Sequence, residues 1–114
     1  MNVMAQKIIA DTEKVLLQLL KARGIKAKQI VFFGSVPQGR HNADSDIDLI
    51  IVSEDFHGHD IFQRLAKARG VHRELVRHFR RPFDILYYSP AEWEQACSPI
   101  VMHAKTKGQV IYQA

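Results

Sequence analysis

Hydrophobic residues recur along this chain at two spacings, and each spacing predicts a different kind of element. Over residues 3–22 they recur every three or four positions, which predicts an amphipathic helix that is stopped by Gly24. Short apolar runs between turn-forming residues instead predict strands. These strands are placed over residues 29–33, 45–52, 83–88 and 110–112, and the other predicted helices over residues 60–79, 90–96 and 99–107.

The predicted helix over residues 60–79 carries one apolar stripe with a weak point near its middle. Members of the stripe follow each other at alternating spacings of four and three, as on one face of a helix. They are Ile61, Leu65, Ala68, His72, Leu75 and Phe79. Gly70 lies among them and costs about 1 kcal/mol relative to Ala in a helix interior, which leaves a break at this point open.

The order of the elements defines the fold class. It is helix, strand, strand, helix, strand, helix, helix, strand, which predicts an α/β or α+β domain with two layers and a small mixed sheet. The pattern does not give the order of the strands within the sheet. The chain has 114 residues and is 46% hydrophobic, so we expect residues 1–114 to form one domain that buries roughly 60–70% of its unfolded surface.

Composition limits the cellular environment and the class of binding partner that we expect for this protein. The net charge is +4 and the isoelectric point about 9.4, which favours anionic partners such as nucleotide phosphates, RNA or an acidic protein surface. Cys97 is the only cysteine, which excludes an intramolecular disulfide framework and fits a reducing cytoplasm. Neither a signal peptide nor an apolar run of about 20 residues is visible, so we expect a soluble, cytoplasmic protein without a membrane partner.

The candidate chemistry lies between the first two predicted strands. Gly34 and Ser35 follow the first strand, a turn with a short helix comes next, and Asp46 and Asp48 lie in the second strand. Because side chains alternate along a strand, the two carboxylates project from one face about 7 Å apart, which suits divalent metal ions. A glycine followed by exposed N–H groups at a helix start suits a phosphate. The alternative is a polar turn, capped by Ser35, before an edge strand with two solvated carboxylates.

This run of residues resembles the signature of the nucleotidyltransferases of the DNA polymerase beta superfamily. The short chain is most similar to the stand-alone minimal nucleotidyltransferases, many of which are antitoxins to HEPN-domain toxins. The resemblance extends to the order of elements along nearly the whole chain, and it implies a mostly antiparallel sheet backed by helices. It also implies that Asp46 and Asp48 bind Mg²⁺ and that Gly34 and Ser35 bind the triphosphate of ATP.

The resemblance also implies a third carboxylate on a neighbouring strand. Asp84 is the candidate because it lies inside a predicted strand, on the same face as Leu86 and Tyr88. A carboxylate in so apolar a setting is costly without a partner, and a metal ion supplies one. Asp84 would then be a metal ligand or the general base for the acceptor hydroxyl. The alternative is a carboxylate at a strand entry close to the basic pair Arg80 and Arg81.

The loop departs from the family pattern at one place. Many minimal nucleotidyltransferases carry Arg immediately before the glycine of the loop, whereas here Gln38 precedes Gly39 and Arg40 follows it. We assign Gly39 and Arg40 to nucleotide binding together with Gly34 and Ser35. The departure leaves phosphate affinity and the choice of acceptor open.

A basic ridge extends along and beyond the helix that is predicted over residues 60–79. It consists of Arg69, Arg73, Arg77, Arg80 and Arg81. Its simplest interpretation is a solvated helix face, and its functional interpretation is contact with an acidic partner, RNA or the nucleotide. No series of aromatic residues alternates with these arginines in the manner of a stacking platform, which argues against binding of single-stranded RNA.

The function implied by these residues and by the resemblance is Mg²⁺-dependent transfer of AMP from ATP to a hydroxyl. Superfamily members that are polymerases, or that modify tRNA or antibiotics, carry further domains for their acceptors, and 114 residues leave little room for one. The resemblance therefore implies an acceptor in trans. It would be a tyrosine of a HEPN-domain RNase toxin, which this protein would silence as its antitoxin.

Three alternatives stay open at this point. The acceptor is a small molecule, or the protein neutralises its partner by binding without catalysis, or it binds RNA through the basic ridge. The sequence does not identify the acceptor, distinguish ATP from other nucleotides or give the oligomeric state.

Overall fold

The computed structural model describes residues 3–33, 46–95 and 98–114. In this part of the chain there are five α-helices, four strands and one short 3₁₀ turn at Glu54–Phe56. The helices are α1 (Val3–Ala22), α2 (Ile61–Lys67), α3 (Val71–Phe79), α4 (Pro90–Gln95) and α5 (Pro99–Lys107). The strands are β1 (Gln29–Phe33), β2 (Ile47–Val52), β3 (Phe83–Tyr88) and β4 (Gln109–Gln113). None of these helices has the length and apolarity that crossing a membrane requires.

The four strands form one mixed sheet in the order β3-β2-β1-β4. Strand β1 is antiparallel to both β2 and β4, whereas β2 and β3 are parallel. The predicted small, mixed, mostly antiparallel sheet is therefore confirmed. A parallel pair needs a long crossover, and here the 3₁₀ turn, α2 and α3 provide it.

The sheet buries apolar residues on both faces, and the alternation along β2 separates them. Ile47, Leu49 and Ile51 belong to the larger cluster, to which α1 and α3 contribute Leu16, Leu20 and Leu75. Helices α1 and α3 therefore form the helical layer that was predicted behind the sheet. On the opposite face of the sheet, α4 and α5 cover a second, smaller cluster that consists of Val31, Phe33, Ile50, Val52, Trp93, Val101 and Ala104.

The helix predicted over residues 60–79 is broken at Gly70. This glycine has a φ of 88°, a left-handed conformation that favours glycine, and it separates α2 from α3. The helix is interrupted here, and the predicted stripe does not lie on one buried face. Ala68 and Leu75 are buried, but Ile61 and Leu65 are exposed.

Helix α2 is anchored by a buried arginine and not by its large apolar side chains. The Arg64 guanidinium donates to the carbonyl of Tyr87 at 2.9 Å and lies 2.6 Å from the carboxylate of Glu92. The start of the helix is fixed by a capping box. In it, the Asp60 carboxylate accepts from the backbone N–H of Gln63, and the Gln63 side-chain oxygen accepts from the backbone N–H of Asp60. Arg64 therefore holds α2 against the end of β3, and the capping box defines where the helix starts.

Candidate active site

Two carboxylates meet at the starts of the parallel strands β2 and β3. The register pairs Asp48 with Asp84, and the preceding pair is Ile47 with Phe83. The side chains of Ile47 and Phe83 are buried in the larger cluster. Since side chains alternate along strands, Asp48 and Asp84 project together from the other face of the sheet. The shared face predicted for Asp84, Leu86 and Tyr88 is confirmed, because Leu86 and Tyr88 pack on the smaller cluster.

The electrostatics of Asp48 reflect this pairing. Burial raises the pKa of Asp48 to about 6, and the negative charges of Asp84 and Asp46 and a hydrogen bond with the Asp84 side chain act in the same direction. Asp48 is half-buried, whereas Asp46 and Asp84 are exposed. When both carboxylates are ionised, their repulsion is unfavourable, and binding of a proton or of a cation relieves that repulsion.

Asp46 lies just before β2 and not within it. It was predicted inside a strand that begins at residue 45, and the structure begins the strand at Ile47. Its charge nevertheless contributes to the raised pKa of Asp48, so the three carboxylates interact electrostatically.

The predicted nucleotide-binding residues lie outside the described part of the chain. These are Gly34, Ser35, Gly39 and Arg40, and Gln38 lies there too. Strand β1 ends at Phe33, the residue that pairs with Asp48 across the antiparallel ladder. The last described residue of β1 therefore lies directly beside the carboxylate pair, and the predicted loop follows it in the sequence.

The chemistry of the donors suits Mg²⁺. Within residues 3–33, 46–95 and 98–114, no three His, Cys, Asp or Glu side chains are grouped closely enough to enclose a metal ion. Mg²⁺ does not need such a cage, because it is commonly bound through one or two carboxylates, water and substrate phosphates. The hard oxygens of Asp48 and Asp84 fit this mode, and their mutual repulsion is what a divalent cation would neutralise.

The structure divides the predicted basic ridge. Arg73 and Arg77 are about three-quarters exposed, and the nearest acidic group on α3 is Glu74, which lies 3.6 Å from Arg77. Arg81, in contrast, is 7% exposed at the entry to β3. Arg81 therefore belongs to the interior close to the candidate site, and the solvated ridge of α3 ends before it.

The sequence pattern did not reveal two features of α2, which is held near the end of β3 away from the carboxylates. It did not find the buried role of Arg64, because an arginine between apolar residues looks like a surface position. It also placed Ile61 and Leu65 on a stripe without anticipating that they and Phe62 face solvent. The capping box at Asp60 was a readable signal for the helix start, but nothing in the pattern marked the inner face.

The raised pKa of Asp48 predicts that Asp48→Asn stabilises the metal-free protein. A raised acid pKa contributes stability that is complete below the ordinary value of 3.8 and is lost as the pH rises through about 6. The full shift would correspond to about 3 kcal/mol, and solvent screening of this half-buried group reduces it to about 1 kcal/mol. Urea unfolding in EDTA should show Asp48→Asn above wild type at about pH 7.5 and close to it at about pH 4.

An equal or larger advantage of Asp48→Asn at the lower pH would contradict this interpretation. Asp11→Asn is the matched control, because Asp11 is exposed on α1 away from the pair. This control variant should follow wild type at both pH values.

The fold and the site together define the class of the protein. A mixed sheet backed by helices, with facing carboxylates at the starts of two parallel strands, is an α+β arrangement suited to nucleotidyl transfer. The family model described as "Nucleotidyltransferase domain" matches residues 12–109, and the chain belongs to this family.

Solved structures share the fold. A crystal structure of a toxin–antitoxin with AMP-PNP has a TM-score of 0.65 at 22% identity and covers 90% of this chain and 73% of its own. A mutant of the toxin–antitoxin MntA-HpeT has a TM-score of 0.61 at 20% identity, with the same coverage of 90% and 73%. A candidate nucleotidyltransferase from Sulfolobus solfataricus has a TM-score of 0.57 at 15% identity and covers 99% of this chain and 90% of its own. Curated protein sequences give no significant match.

Proposed function

We propose that this protein transfers AMP from ATP to a hydroxyl of a protein partner in a Mg²⁺-dependent reaction. The observation that carries the proposal is the register pairing of Asp48 with Asp84, beside the end of the strand that leads into the Gly34-Ser35 loop. Membership of the nucleotidyltransferase family supports the reaction class. The AMP-PNP in one structural neighbour supports an adenine nucleotide as the donor.

Each residue of the site has a role in this proposal. Asp46 and Asp48 hold the metal, and Asp84 completes its ligands or takes the proton of the acceptor hydroxyl. The bound ion would neutralise charge on the triphosphate. The acceptor oxygen forms a bond to the α-phosphorus while the bond to the β-phosphate breaks, and pyrophosphate leaves.

The loop residues complete the proposed site on the donor side. Gly34 and Ser35 bind the triphosphate through backbone N–H groups and a hydroxyl, and Gly39 and Arg40, which follow Ser35 by four and five residues, assist them. Arg40 takes the place of the arginine that the family pattern puts before the glycine.

We propose that the acceptor is a tyrosine of a HEPN-domain RNase toxin and that its modification makes this protein an antitoxin. The support is that two structural neighbours are toxin–antitoxin complexes. The net charge of +4 also suits an acidic partner.

The test is transfer of label from α-labelled ATP, with Mg²⁺, to the protein encoded by the adjacent reading frame. We expect label on a tyrosine of that partner with wild type and none with the Asp46→Asn/Asp48→Asn variant. If both versions bind and silence the partner without label, the protein is a steric antitoxin. If wild type labels a small molecule without the partner, the acceptor has been assigned wrongly.

A further inference from the structure

The outer surface of α2 is apolar, which is the reverse of what a surface helix in water normally shows. Phe62 is 78% exposed, Ile61 58% and Leu65 50%, whereas Arg64 and Ala68 are buried. A helix at the surface of a soluble protein usually turns its apolar stripe toward the core and its charges toward solvent. Contiguous exposed apolar side chains mark a site that another surface covers.

The exposure of these three side chains follows from how α2 is held. Arg64 bonds the Tyr87 carbonyl, and the next carbonyl along the strand, that of Tyr88, accepts from the Ser53 amide on the β2 side. Since successive carbonyls of a strand point in opposite directions, Arg64 closes the free outer edge of β3. The buried arginine therefore fixes the rotation of α2, and Phe62 has to face outward.

The charge around this surface indicates what covers it. Apart from Arg64, which is buried and paired with Glu92, residues 60–80 carry five basic side chains and two acidic ones, a net charge of +3. Arg73 and Arg77 are about three-quarters exposed on α3. Two copies of this surface would bring like charges together, whereas an acidic partner would be attracted and oriented.

Nucleic acid fits this surface less well than a protein does. RNA would use the arginines, but Ile61 and Leu65 offer it no hydrogen bonds, and Phe62 is a single aromatic residue without a series on which bases stack. An amphipathic helix that lays apolar side chains on α2 and acidic ones on α3 satisfies both halves of the surface.

The position of the surface connects it to the candidate active site. Helix α3 begins directly after α2, runs for nine residues or about 14 Å, and leads into β3, which carries Asp84. A partner lying along α2 and α3 therefore extends toward the end of the sheet where the carboxylates lie.

We propose that Ile61, Phe62 and Leu65, together with Arg73 and Arg77 on the following helix, form the docking surface for an acidic amphipathic helix of the acceptor protein. The identity of this occupant rests on the proposed function. The docking surface is separate from the carboxylates and holds the acceptor so that its hydroxyl reaches them.

The test is binding of the protein encoded by the adjacent reading frame, measured by calorimetry without nucleotide. Phe62→Ser/Leu65→Ser should weaken binding on the order of 100-fold, because central apolar anchors dominate such interfaces. Val3→Ser/Met102→Ser is the matched control, since these side chains are 80% and 49% exposed elsewhere on the molecule. This control should bind as wild type does.

Charge substitutions test the other half of the surface. Arg73→Glu/Arg77→Glu should weaken binding and reduce its dependence on salt, since charge pairs at an interface mainly steer association. Lys7→Glu/Lys14→Glu, on the exposed side of α1, should change neither. Circular dichroism establishes that every variant is folded.

Several outcomes overturn the proposal: failure of wild type to bind, wild-type affinity of Phe62→Ser/Leu65→Ser, or a wild-type dimer that this variant dissociates. The last would mean that a second copy covers the surface.

Failure of the proposed function is distinguishable from these results. If binding depends on Phe62 but no label is transferred, the docking surface is confirmed and the proposed enzymatic function is wrong. If Phe62→Ser/Leu65→Ser labels the partner as well as wild type does at limiting partner concentration, the docking surface falls and the function stands.

Discussion

Asp84→Asn is expected to lower nucleotidyl transfer by a factor on the order of 100 to 1,000, the usual effect of removing one preorganised group from a reacting site. Asp84 is exposed but lies in register with half-buried Asp48, so its carboxylate faces solvent where an acceptor hydroxyl can approach. The fold should tolerate the change, because Asn is nearly isosteric and the loss of one charge relieves the repulsion within the pair. The rate of label transfer to the partner measures the effect.

The two roles open to Asp84 give different kinetics. If it is a metal ligand, Asp84→Asn should raise the Mg²⁺ concentration needed for half-maximal rate. If it is the general base, nucleotide and metal binding should stay unchanged while kcat falls and the pH dependence on the basic limb is altered. Asp11→Asn serves as the control for loss of a surface carboxylate. Full activity of Asp84→Asn would remove this residue from the site.

Arg64→Ala is expected to destabilise the protein by about 3 kcal/mol, a large share of the 5–15 kcal/mol typical of a folded domain. The substitution leaves the Tyr87 carbonyl at the edge of β3 without its donor and opens space beneath α2. It also frees Glu92, whose pKa is now held low because hydrogen bonds from the Ser89 amide and from Arg64 outweigh the opposing effect of burial. Urea unfolding measures the loss.

Two companion variants separate the causes. Arg64→Met keeps most of the volume and removes the buried Nε, which has no hydrogen-bond partner in the described structure, so we expect a loss of about 1–2 kcal/mol. Glu92→Gln keeps a hydrogen-bond acceptor on a side chain that is 47% exposed, so its loss should be within about 1 kcal/mol. A Glu92→Gln variant as unstable as Arg64→Ala would mean that the ion pair, and not the carbonyl contact, holds α2.

The strands were predictable because their side chains alternate and the alternation is local. Ile47, Leu49 and Ile51 on one face, and Asp84 on the face of Leu86 and Tyr88, follow from period two alone. The pairing of Asp48 with Asp84 could not be obtained in this way. It depends on β2 and β3 being adjacent and parallel, which is set by contacts between residues far apart in the chain. The resemblance supplied Asp84, and the register explains why that position faces Asp48.

The orientation of α2 could not be predicted, because the pattern of its side chains contradicts their environment. The spacing of Ile61 and Leu65 is that of a buried stripe, yet a single buried guanidinium at Arg64 turns the helix the other way. Periodicity reports which residues share a face but not whether protein or solvent lies against it. The break at Gly70 had a local signal, the glycine itself. The exposure of Phe62 has no local signal, and we explain it by the proposed partner protein, which would cover this side chain.

AMP transfer is tested most directly by comparing two labels of ATP in the presence of Mg²⁺ and the partner encoded by the adjacent reading frame. We expect that label at the α-phosphorus moves to a partner tyrosine, that label at the γ-phosphorus leaves as pyrophosphate, and that Asp48→Asn prevents both. Appearance of γ-label on the partner would contradict it, because that would be phosphoryl transfer. A partner that wild type binds and silences, but that carries neither label, would contradict it as well.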